Sequence, residues 1–256
     1  MTVVLLYHDV VPRAARDETG FSGPLAARYK LEPTDFAAHL DAIAATGRRV
    51  GTLGAEGQPP EVALTFDDGG ASAVAAASAL EQHGWRGHFF IVTSLIDEPG
   101  FLRAGDLVDL ARRGHVIGSH SHSHPTYMAR LSHEEVEREW STSRGILEEV
   151  LGAAPATASV PGGMISRPVV EVAARAGYRI LMTSEPITTQ RKTDGLLAVG
   201  RFNIWRTTPA ARAAAYARRA RWPRARLWLE WQAKSATKRI SPAVYQRFRR
   251  LRAVRT

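Results

Sequence analysis

The sequence predicts a parallel α/β fold, and three observations lead to this prediction. Short apolar runs alternate with longer segments in which apolar residues return every three or four positions. Glycines stand where most of these helical segments should end. Carboxylate and imidazole side chains follow two of the apolar runs. Strands that alternate with helices are typical of a parallel sheet, which carries its functional residues at the carboxyl ends of its strands.

The apolar runs predict six strands, and the periodic segments between them predict five helices. The strands are expected at residues 3–7, 62–66, 87–92, 115–118, 157–160 and 178–183, and the helices at 34–46, 71–83, 104–113, 132–151 and 167–176. Ser132 and Glu135 form a capping-box pattern at the start of the fourth helix. Residues 13–30 and 51–60, rich in Gly, Pro and charge, are expected to be loops.

The 256 residues are enough for one catalytic domain, and the charge distribution marks a C-terminal extension. The net charge is +9, yet residues 206–256 hold 13 Arg and 2 Lys against one Glu, so residues 1–205 carry a net −5. We therefore expect a catalytic domain over 1–205 and a basic helical extension over 206–256. Three prolines should divide the extension into two or three short helices: Pro209, Pro223 and Pro242.

The basic extension has two interpretations. Arg residues with Trp222, Trp228 and Trp231 nearby would suit a helix that lies on an anionic membrane surface, whereas the alternative is a helix that packs over the domain. No base-reading motif accompanies the charge, so nucleic acid is not an expected partner. The chain starts without the pattern of a secretory signal and has no run that could span a bilayer, so we expect it to be cytoplasmic, or peripheral at the membrane.

Two motifs carry the chemistry. Asp67 and Asp68 follow the second strand, directly before glycines that permit a sharp turn, although an ordinary Asp-Gly turn has the same sequence. His120 and His124 follow the fourth strand and face the same side if their segment makes one helical turn, although a His-rich surface loop is the alternative. Together, two imidazoles and one carboxylate make a three-ligand site for a catalytic divalent metal. Cysteine is absent, so thiolate ligands are excluded.

With these motifs the sequence resembles the polysaccharide deacetylase family, also called the NodB-homology domain or carbohydrate esterase family 4, over residues 2–186. The resemblance implies a distorted (β/α)7-type barrel with Asp68, His120 and His124 as metal ligands and Asp67 as the base that activates water. It further implies hydrolysis of an N-acetyl group on an amino sugar or glycoconjugate. The His2Asp ligand set suits Zn²⁺, with Co²⁺, Ni²⁺ or Fe²⁺ as alternatives.

The sequence departs from the family pattern at two places. The family's late strand that ends in His is missing, because all nine histidines lie at or before His133. We expect His8, at the end of the first strand, to protonate the leaving amine instead, with Asp9 orienting and charging the imidazole. The alternative is that Asp67 performs both proton transfers.

The second departure lies in the third motif. The chain keeps Pro161, Gly162 and Gly163 but lacks the Arg that precedes the Pro in many members and orients the base. We expect this turn to present backbone N–H groups to the substrate oxyanion. Two other functions stay open: hydrolysis of a non-sugar C–N bond, and a catalytically impaired carbohydrate-binding protein that keeps the metal.

Overall fold

The structure is a computed structural model that describes residues 1–55, 57–193 and 195–240, with side chains described up to Ala233. The nine strands are β1 (Val3–Tyr7), β2 (Val62–Phe66), β3 (His88–Ile91), β4 (Val116–Ser119), β5 (Thr157–Ser159), β6 (Ile180–Met182), β7 (Gln190–Thr193), β8 (Leu196–Val199) and β9 (Phe202–Asn203). The helices are α1 (Pro33–Ala44), α2 (Ala73–Gln82), α3 (Ala104–Arg112), α4 (His133–Leu151), α5 (Arg167–Arg175), α6 (Ala210–Ala217) and α7 (Arg221–Ile240). The six predicted strands and five predicted helices are all present.

One sheet contains all of these strands in the order β7-β8-β6-β5-β4-β3-β2-β1-β9. Every neighbouring pair is parallel except β7 with β8. Strands β8 and β9 lie near opposite ends of this order, yet only Gly200 and Arg201 separate them in the chain. The segment 196–203 therefore leaves β6 and crosses to β1, which brings the two ends of the sheet together. This arrangement confirms the predicted α/β barrel-type fold.

Side chains alternate across the sheet, so each strand contributes to two separate cores. Val3 and Leu5 face outward into the core shared with the helices, whereas Val4 belongs to an interior cluster. That interior cluster consists of Val4, Leu53, Ala63, Phe90, Ile180, Met182 and Val199. Further along the strands the interior positions become polar, because Thr65, Asp67, His120, Ser159 and Arg201 are all buried there. The apolar interior thus forms the floor beneath a buried polar site.

The helix ends follow the sequence signals closely in α4. The Ser132 side chain accepts a hydrogen bond from the Glu135 amide, and the Glu135 side chain accepts one from the Ser132 amide, as the capping-box pattern predicts. Gly152 ends the helix in the left-handed conformation. This helix packs against α5 and β4, which supports the loop that follows β4.

The C-terminal part differs from the prediction at one proline. Helix α6 follows Pro209 and buries Ala213, Tyr216 and Ala217 in the main core. Pro223 does not break a helix, because it lies in the first turn of α7, where its missing N–H costs no helical hydrogen bond. Pro242 lies outside the described residues, and the domain boundary after residue 205 stays a prediction. Within the described ranges, no helix has the length and apolar character needed to cross a bilayer.

Candidate metal centre and active site

The aspartate pair lies where β2 ends, at the carboxyl edge of the sheet. Asp67 is buried on the interior side, and its amide donates to the Tyr7 carbonyl, which continues the pairing of β2 with β1. Asp68 adopts φ of 77° and Gly69 adopts 75°, so the chain turns sharply at once. A left-handed Asp costs roughly 1–3 kcal/mol and is typical of functional sites. The turn brings the second carboxylate back over the strand end.

The histidine loop reaches the same place without a helical turn, which corrects our expectation for this segment. Residues Ser121 and His124 both adopt the left-handed conformation, with φ of 66° and 54°. The Ser121 hydroxyl accepts from the His124 amide at 3.1 Å and so holds this tight loop together. Glu139 of α4 accepts from the amides of His122 (2.9 Å) and Ser123 (2.8 Å). The two imidazoles are therefore brought together by loop geometry.

Asp68, His120 and His124 form a compact set of ligand atoms, all within 4.8 Å of one another. The Nε2 atoms of both histidines lie 3.5 Å from Asp68 Oδ1. A tetrahedral Zn²⁺ with bonds near 2.1 Å holds its ligand atoms roughly 3.4 Å apart. The donor types and their spacing therefore fit a divalent cation with three protein ligands.

The two histidines differ in protonation. His120 Nδ1 donates to the Ser159 carbonyl at 2.9 Å, and its Nε2 faces Asp68. Burial would lower the pKa of His120, but the Asp67 charge and the hydrogen bond to Asp68 raise it overall. Burial, together with the charge of His120, lowers the pKa of His124 to about 4, so this imidazole is neutral near pH 7. Burial alone would raise the pKa of Asp68, but the hydrogen bond from His120 and nearby imidazole charges hold it well below its ordinary value. A cation bound here would replace the proton that His120 Nε2 shares with Asp68.

Asp67 is held by a residue that the sequence did not point to. The Arg201 guanidinium is fully buried and donates to Asp67 Oδ1 at 2.7 Å and Oδ2 at 2.8 Å. It also donates to the Ser159 hydroxyl (2.7 Å) and to the Thr183 carbonyl (3.0 Å). Burial would raise the pKa of Asp67, but the Arg201 charge, followed by that of His120, lowers it overall. Arg201 therefore keeps Asp67 ionised and fixed in orientation.

Arg201 makes with Asp67 the kind of contact that the resemblance assigns to the missing third-motif Arg, but it lies in the segment that crosses from β8 to β9. The third motif supplies Ser159 instead, whose hydroxyl donates to Asp67 at 3.1 Å. The only signal in the sequence was an arginine inside the apolar stretch Leu196–Ile204. An isolated Arg in a strand interior must be paired, because a buried unpaired charge is very costly. The partner could not be identified without the fold.

His8 lies at the edge of this cluster, as its position after β1 predicted. Its charge influences the pKa values of Asp67, Asp68 and His124, so it is electrostatically part of the same site. The ring of Tyr29 packs against the imidazole with centroids 4.4 Å apart. The side chain is half-buried. This places His8 beside the candidate metal ligands without making it one of them.

Asp9 does not contact His8, which corrects the role expected for it. Its carboxylate accepts from Ser72 Oγ (2.7 Å) and Thr19 Oγ1 (3.0 Å) and lies 3.8 Å from the ammonium of Lys30. Both Asp9 and Lys30 are buried. Burial raises the pKa of Asp9 overall, although the Ser72 hydrogen bond and Lys30 oppose this. Asp9 therefore anchors the loop of residues 13–30 and does not orient the imidazole.

The turn of Pro161, Gly162 and Gly163 offers fewer donors than expected. Proline has no N–H, and the Gly163 amide already donates to the Val160 carbonyl at 2.9 Å. A Cβ at Gly163 would lie 2.0 Å from the Ser184 hydroxyl oxygen, so glycine there permits close packing. Gly162 is exposed with φ of 65°. A substrate-binding role for this turn stays a prediction, and of the three residues only Gly162 keeps an uncommitted amide.

A family model described as polysaccharide deacetylase matches residues 54–181, half of the chain. The chain belongs to the polysaccharide deacetylase family. The matched range contains the aspartate pair, both histidines and the Pro161 turn, but neither His8 nor Arg201. Those two residues enter the site from segments that follow β1 and β8, outside the matched range.

Several peptidoglycan deacetylases are similar over part of their length. The peptidoglycan-N-acetylglucosamine deacetylase PgdA of Listeria monocytogenes is 30% identical over 113 residues, which is 43% of this chain and 23% of the relative. A peptidoglycan-N-acetylglucosamine deacetylase of Bacillus cereus is 30% identical over 127 residues, which is 48% of this chain and 44% of the relative. The chain thus spans less than half the length of these curated relatives.

Solved structures share the fold at low sequence identity. A polysaccharide deacetylase from Bacillus cereus superposes with a TM-score of 0.71 and 20% identity, covering 84% of this chain and 68% of that one. IcaB from Ammonifex degensii gives a TM-score of 0.70 and 21% identity, covering 84% of this chain and 96% of that one. These similarities establish the NodB-type fold for the part of the chain that they cover.

Proposed function

We propose that this protein is a metal-dependent N-deacetylase that removes the acetyl group from an amino sugar in a saccharide or glycoconjugate. The observation that carries the proposal is the group of Asp68, His120 and His124 ligand atoms within 4.8 Å, directly beside the buried Asp67–Arg201 pair. A divalent cation bound there would supply Lewis acidity for the acyl carbonyl and lower the pKa of water toward neutrality. Zn²⁺ suits two imidazoles and a carboxylate, with Co²⁺, Ni²⁺ or Fe²⁺ as alternatives.

Asp67 is the proposed base. Its Oδ2 accepts from Arg201 and Ser159, whereas Oδ1 accepts from Arg201. A carboxylate oxygen has two lone pairs, so Oδ1 keeps one with which to accept a proton from the attacking water. The lowered pKa makes Asp67 a weak base, so proton transfer to it would depend on acidification of the water by a bound cation. Arg201 fixes the direction in which this lone pair points.

His8 is the proposed acid. As the C–N bond of the amide breaks, the amine nitrogen needs a proton, and an imidazolium at the rim of the site can donate it. His8 reaches the site from β1, opposite the histidine loop, so it is separate from the proposed metal ligands. The alternative is that Asp67 returns its newly acquired proton to the nitrogen. Loss of turnover in His8→Ala with retained metal binding would favour His8.

The substrate class rests on the family and on the names of the relatives, which act on peptidoglycan N-acetylglucosamine. For this chain we propose an N-acetylated saccharide, with a non-sugar amide or carbohydrate binding without turnover as alternatives. Acetate release from metal-free protein, reloaded with Zn²⁺ or Co²⁺ and given N-acetylglucosamine oligomers, tests this. Metal-dependent release that Asp68→Ala abolishes supports the deacetylase. Tight metal binding without release from any saccharide would favour the alternatives.

We also propose that the chain acts in the cytoplasm, attached peripherally to an anionic membrane surface through its basic extension. The observation that favours attachment is the exposure of Trp222 (87%), Leu229 (62%) and Trp228 (39%) on α7. Arg218, Arg221 and Arg226 are exposed around them. Exposed Trp and Leu beside arginines are typical of helices that lie in a membrane interface. We propose no nucleic-acid partner.

A further inference from the structure

His8 lacks the hydrogen bond that normally orients a catalytic imidazole. Its Nδ1 is buried and has no hydrogen-bond partner within the described part of the chain. In many enzymes a carboxylate or carbonyl accepts from this nitrogen and so fixes the ring. Asp9, the adjacent carboxylate in sequence, is engaged with Ser72 and Thr19 instead. Some other contact must hold the imidazole in place.

The contact that the structure provides is a column of rings. The Tyr29 ring lies 4.4 Å from the His8 ring, with an angle of 41° between their planes. The Trp205 indole stacks on Tyr29 at 4.6 Å and 29°. The Arg28 guanidinium lies 5.2 Å from the centre of the Trp205 ring. The column thus runs from the rim of the barrel to the side chain at the edge of the site.

The column is held from both of its chain segments, independently of His8. Lys30, next to Tyr29, is buried and donates to the Arg16 carbonyl at 2.5 Å and also to the Thr19 carbonyl. The Trp205 amide donates to Thr208 Oγ1 at 2.9 Å. The Arg206 amide donates to the Arg28 carbonyl at 2.8 Å and ties the two segments together. These bonds hold the backbone segments that carry Tyr29 and Trp205 without any contribution from His8.

We propose that Tyr29 is a positioning residue for His8, and that its ring, backed by Trp205, replaces the missing orienting acceptor. The packed ring restricts rotation of the imidazole, and an aromatic face attracts an imidazolium electrostatically. In this proposal Tyr29 acts on the reaction through His8. The inference rests on the proposed role of His8 as the acid.

The test compares an amide substrate with an activated ester in four variants: Tyr29→Phe, Tyr29→Leu, His8→Ala and the double variant His8→Ala/Tyr29→Leu. With N-acetylglucosamine oligomers, Tyr29→Leu should lower kcat by about 10²-fold with little change in KM, because the acid is misplaced. Tyr29→Phe keeps the ring and should retain turnover. With 4-nitrophenyl acetate, whose leaving group needs no proton, both Tyr29→Leu and His8→Ala should retain their rates.

The double variant separates positioning from a general structural effect. If Tyr29 acts only through His8, Tyr29→Leu should cost nothing further once His8 is removed. Equal losses on the amide and the ester, or additive losses in the double variant, would mean that Tyr29 supports the fold and not the acid. Co²⁺ affinity, followed by its visible absorption, should be unchanged in Tyr29→Leu.

The failures of the two proposals are distinguishable. If His8→Ala retains amide turnover, the acid assignment fails and the positioning role fails with it. If His8→Ala loses turnover and Tyr29→Leu does not, only the positioning role is wrong. A readout without substrate is the rate at which diethylpyrocarbonate modifies His8, measured by mass spectrometry. Removal of the Tyr29 ring should raise that rate several-fold. An unchanged rate would show that the ring does not restrict the His8 imidazole, and the proposal would be wrong.

Discussion

At the scale of single residues, the Arg201–Asp67 pair should contribute both to stability and to the proposed catalysis. Both side chains are buried, and the guanidinium makes five hydrogen bonds to its surroundings. Replacing one partner of a buried pair leaves an uncompensated charge, which typically costs about 3–5 kcal/mol. We expect Arg201→Met to lose about this much free energy of unfolding in urea titrations and to lose acetate release as well.

A second substitution tests whether the unpaired charge of Asp67 causes this loss of stability. Asp67→Asn in the Arg201→Met background removes the buried charge and should recover part of the stability, but no activity. Arg191→Gln is the matched control, because Arg191 is exposed and its ion pair with Glu185 spans 3.4 Å at the surface. Equal stabilities of Arg201→Met and the unsubstituted protein would contradict the prediction.

His88 should make the stability of the fold depend on pH. Its Nε2 accepts from the Leu53 amide at 2.9 Å, a bond that protonation would break. Burial, followed by the Arg201 charge, lowers the pKa of His88 to about 3 from the ordinary 6.5. The unfolded chain therefore binds this proton first, so stability is complete above pH 6.5 and falls as the pH falls toward 3. Between pH 7 and pH 5 the loss from this group is about 2 kcal/mol.

The measurement is urea unfolding of the metal-free protein at pH 7 and pH 5, compared with His88→Gln. The glutamine keeps an acceptor for the Leu53 amide but does not titrate. Between pH 7 and pH 5, the free energy of unfolding of His88→Gln should fall by about 2 kcal/mol less than that of the unsubstituted protein. The other histidines are common to both proteins, so their contributions cancel. The same pH dependence in both proteins would show that His88 is not held neutral.

At the scale of elements, the strands with regular patterns were predictable and the crossing segment was not. Strands β1 and β2 match their predicted bounds because each is a run of residues buried on both faces, all of them apolar except Thr65. The segment 196–203 has Gly200 and Arg201 at its centre, which interrupts any such run. Gly200 is needed because a Cβ there would lie 2.3 Å from the Glu185 carbonyl oxygen. Gly200 and Arg201 thus let this segment close the barrel, and they also interrupt the apolar pattern by which its strands could have been predicted.

The histidine loop gives an element-scale prediction through Glu139 of α4. Its carboxylate accepts from the amides of His122 and Ser123 and from the Ser123 hydroxyl. Glu139→Ala leaves these donors unpaired and loosens the loop that carries His124. Supporting residues of this kind typically change metal affinity 10–100-fold, so we expect Zn²⁺ affinity to fall by about that factor in a chelator competition. Glu137→Ala, exposed on the same helix, should leave the affinity unchanged.

At the scale of the whole molecule, the site residues that lie in short motifs were predictable from the sequence. The residues that lie outside any motif and reach the site through the fold were not. The candidate metal ligands come from two motifs, and the aspartates and histidines are brought together as the resemblance implied. The orientation of Asp67, the proposed base, depends on Arg201, 134 positions away in the chain, and His8 packs against Tyr29, which stacks on Trp205. Such pairings follow from strand order and barrel closure, which a single sequence does not reveal.

The exposed large apolar side chains lie directly before β1 and on α7, and the starts of these two elements are adjacent. Four large apolar side chains are exposed among the described residues: Met1, Trp222, Trp228 and Leu229. The Arg219 guanidinium donates to the Met1 carbonyl, so the start of β1 lies beside the start of α7. The proposed catalytic residues follow the opposite, carboxyl ends of the strands. A membrane bound at this patch would therefore leave the site open to a saccharide.

We expect the full chain to sediment with phosphatidylcholine vesicles that contain phosphatidylglycerol, and to do so less at high salt, because each arginine near an anionic surface contributes about 1 kcal/mol. Trp222→Ser/Leu229→Ser should lower the binding at least tenfold while acetate release from soluble oligomers is unchanged, since both side chains project into solvent. Arg138→Gln, exposed on α4, is the matched control and should bind as the unsubstituted chain does. Binding that survives the double substitution would assign attachment to another part of the chain, and binding to soluble polyanions alone would identify a charged polymer as the partner.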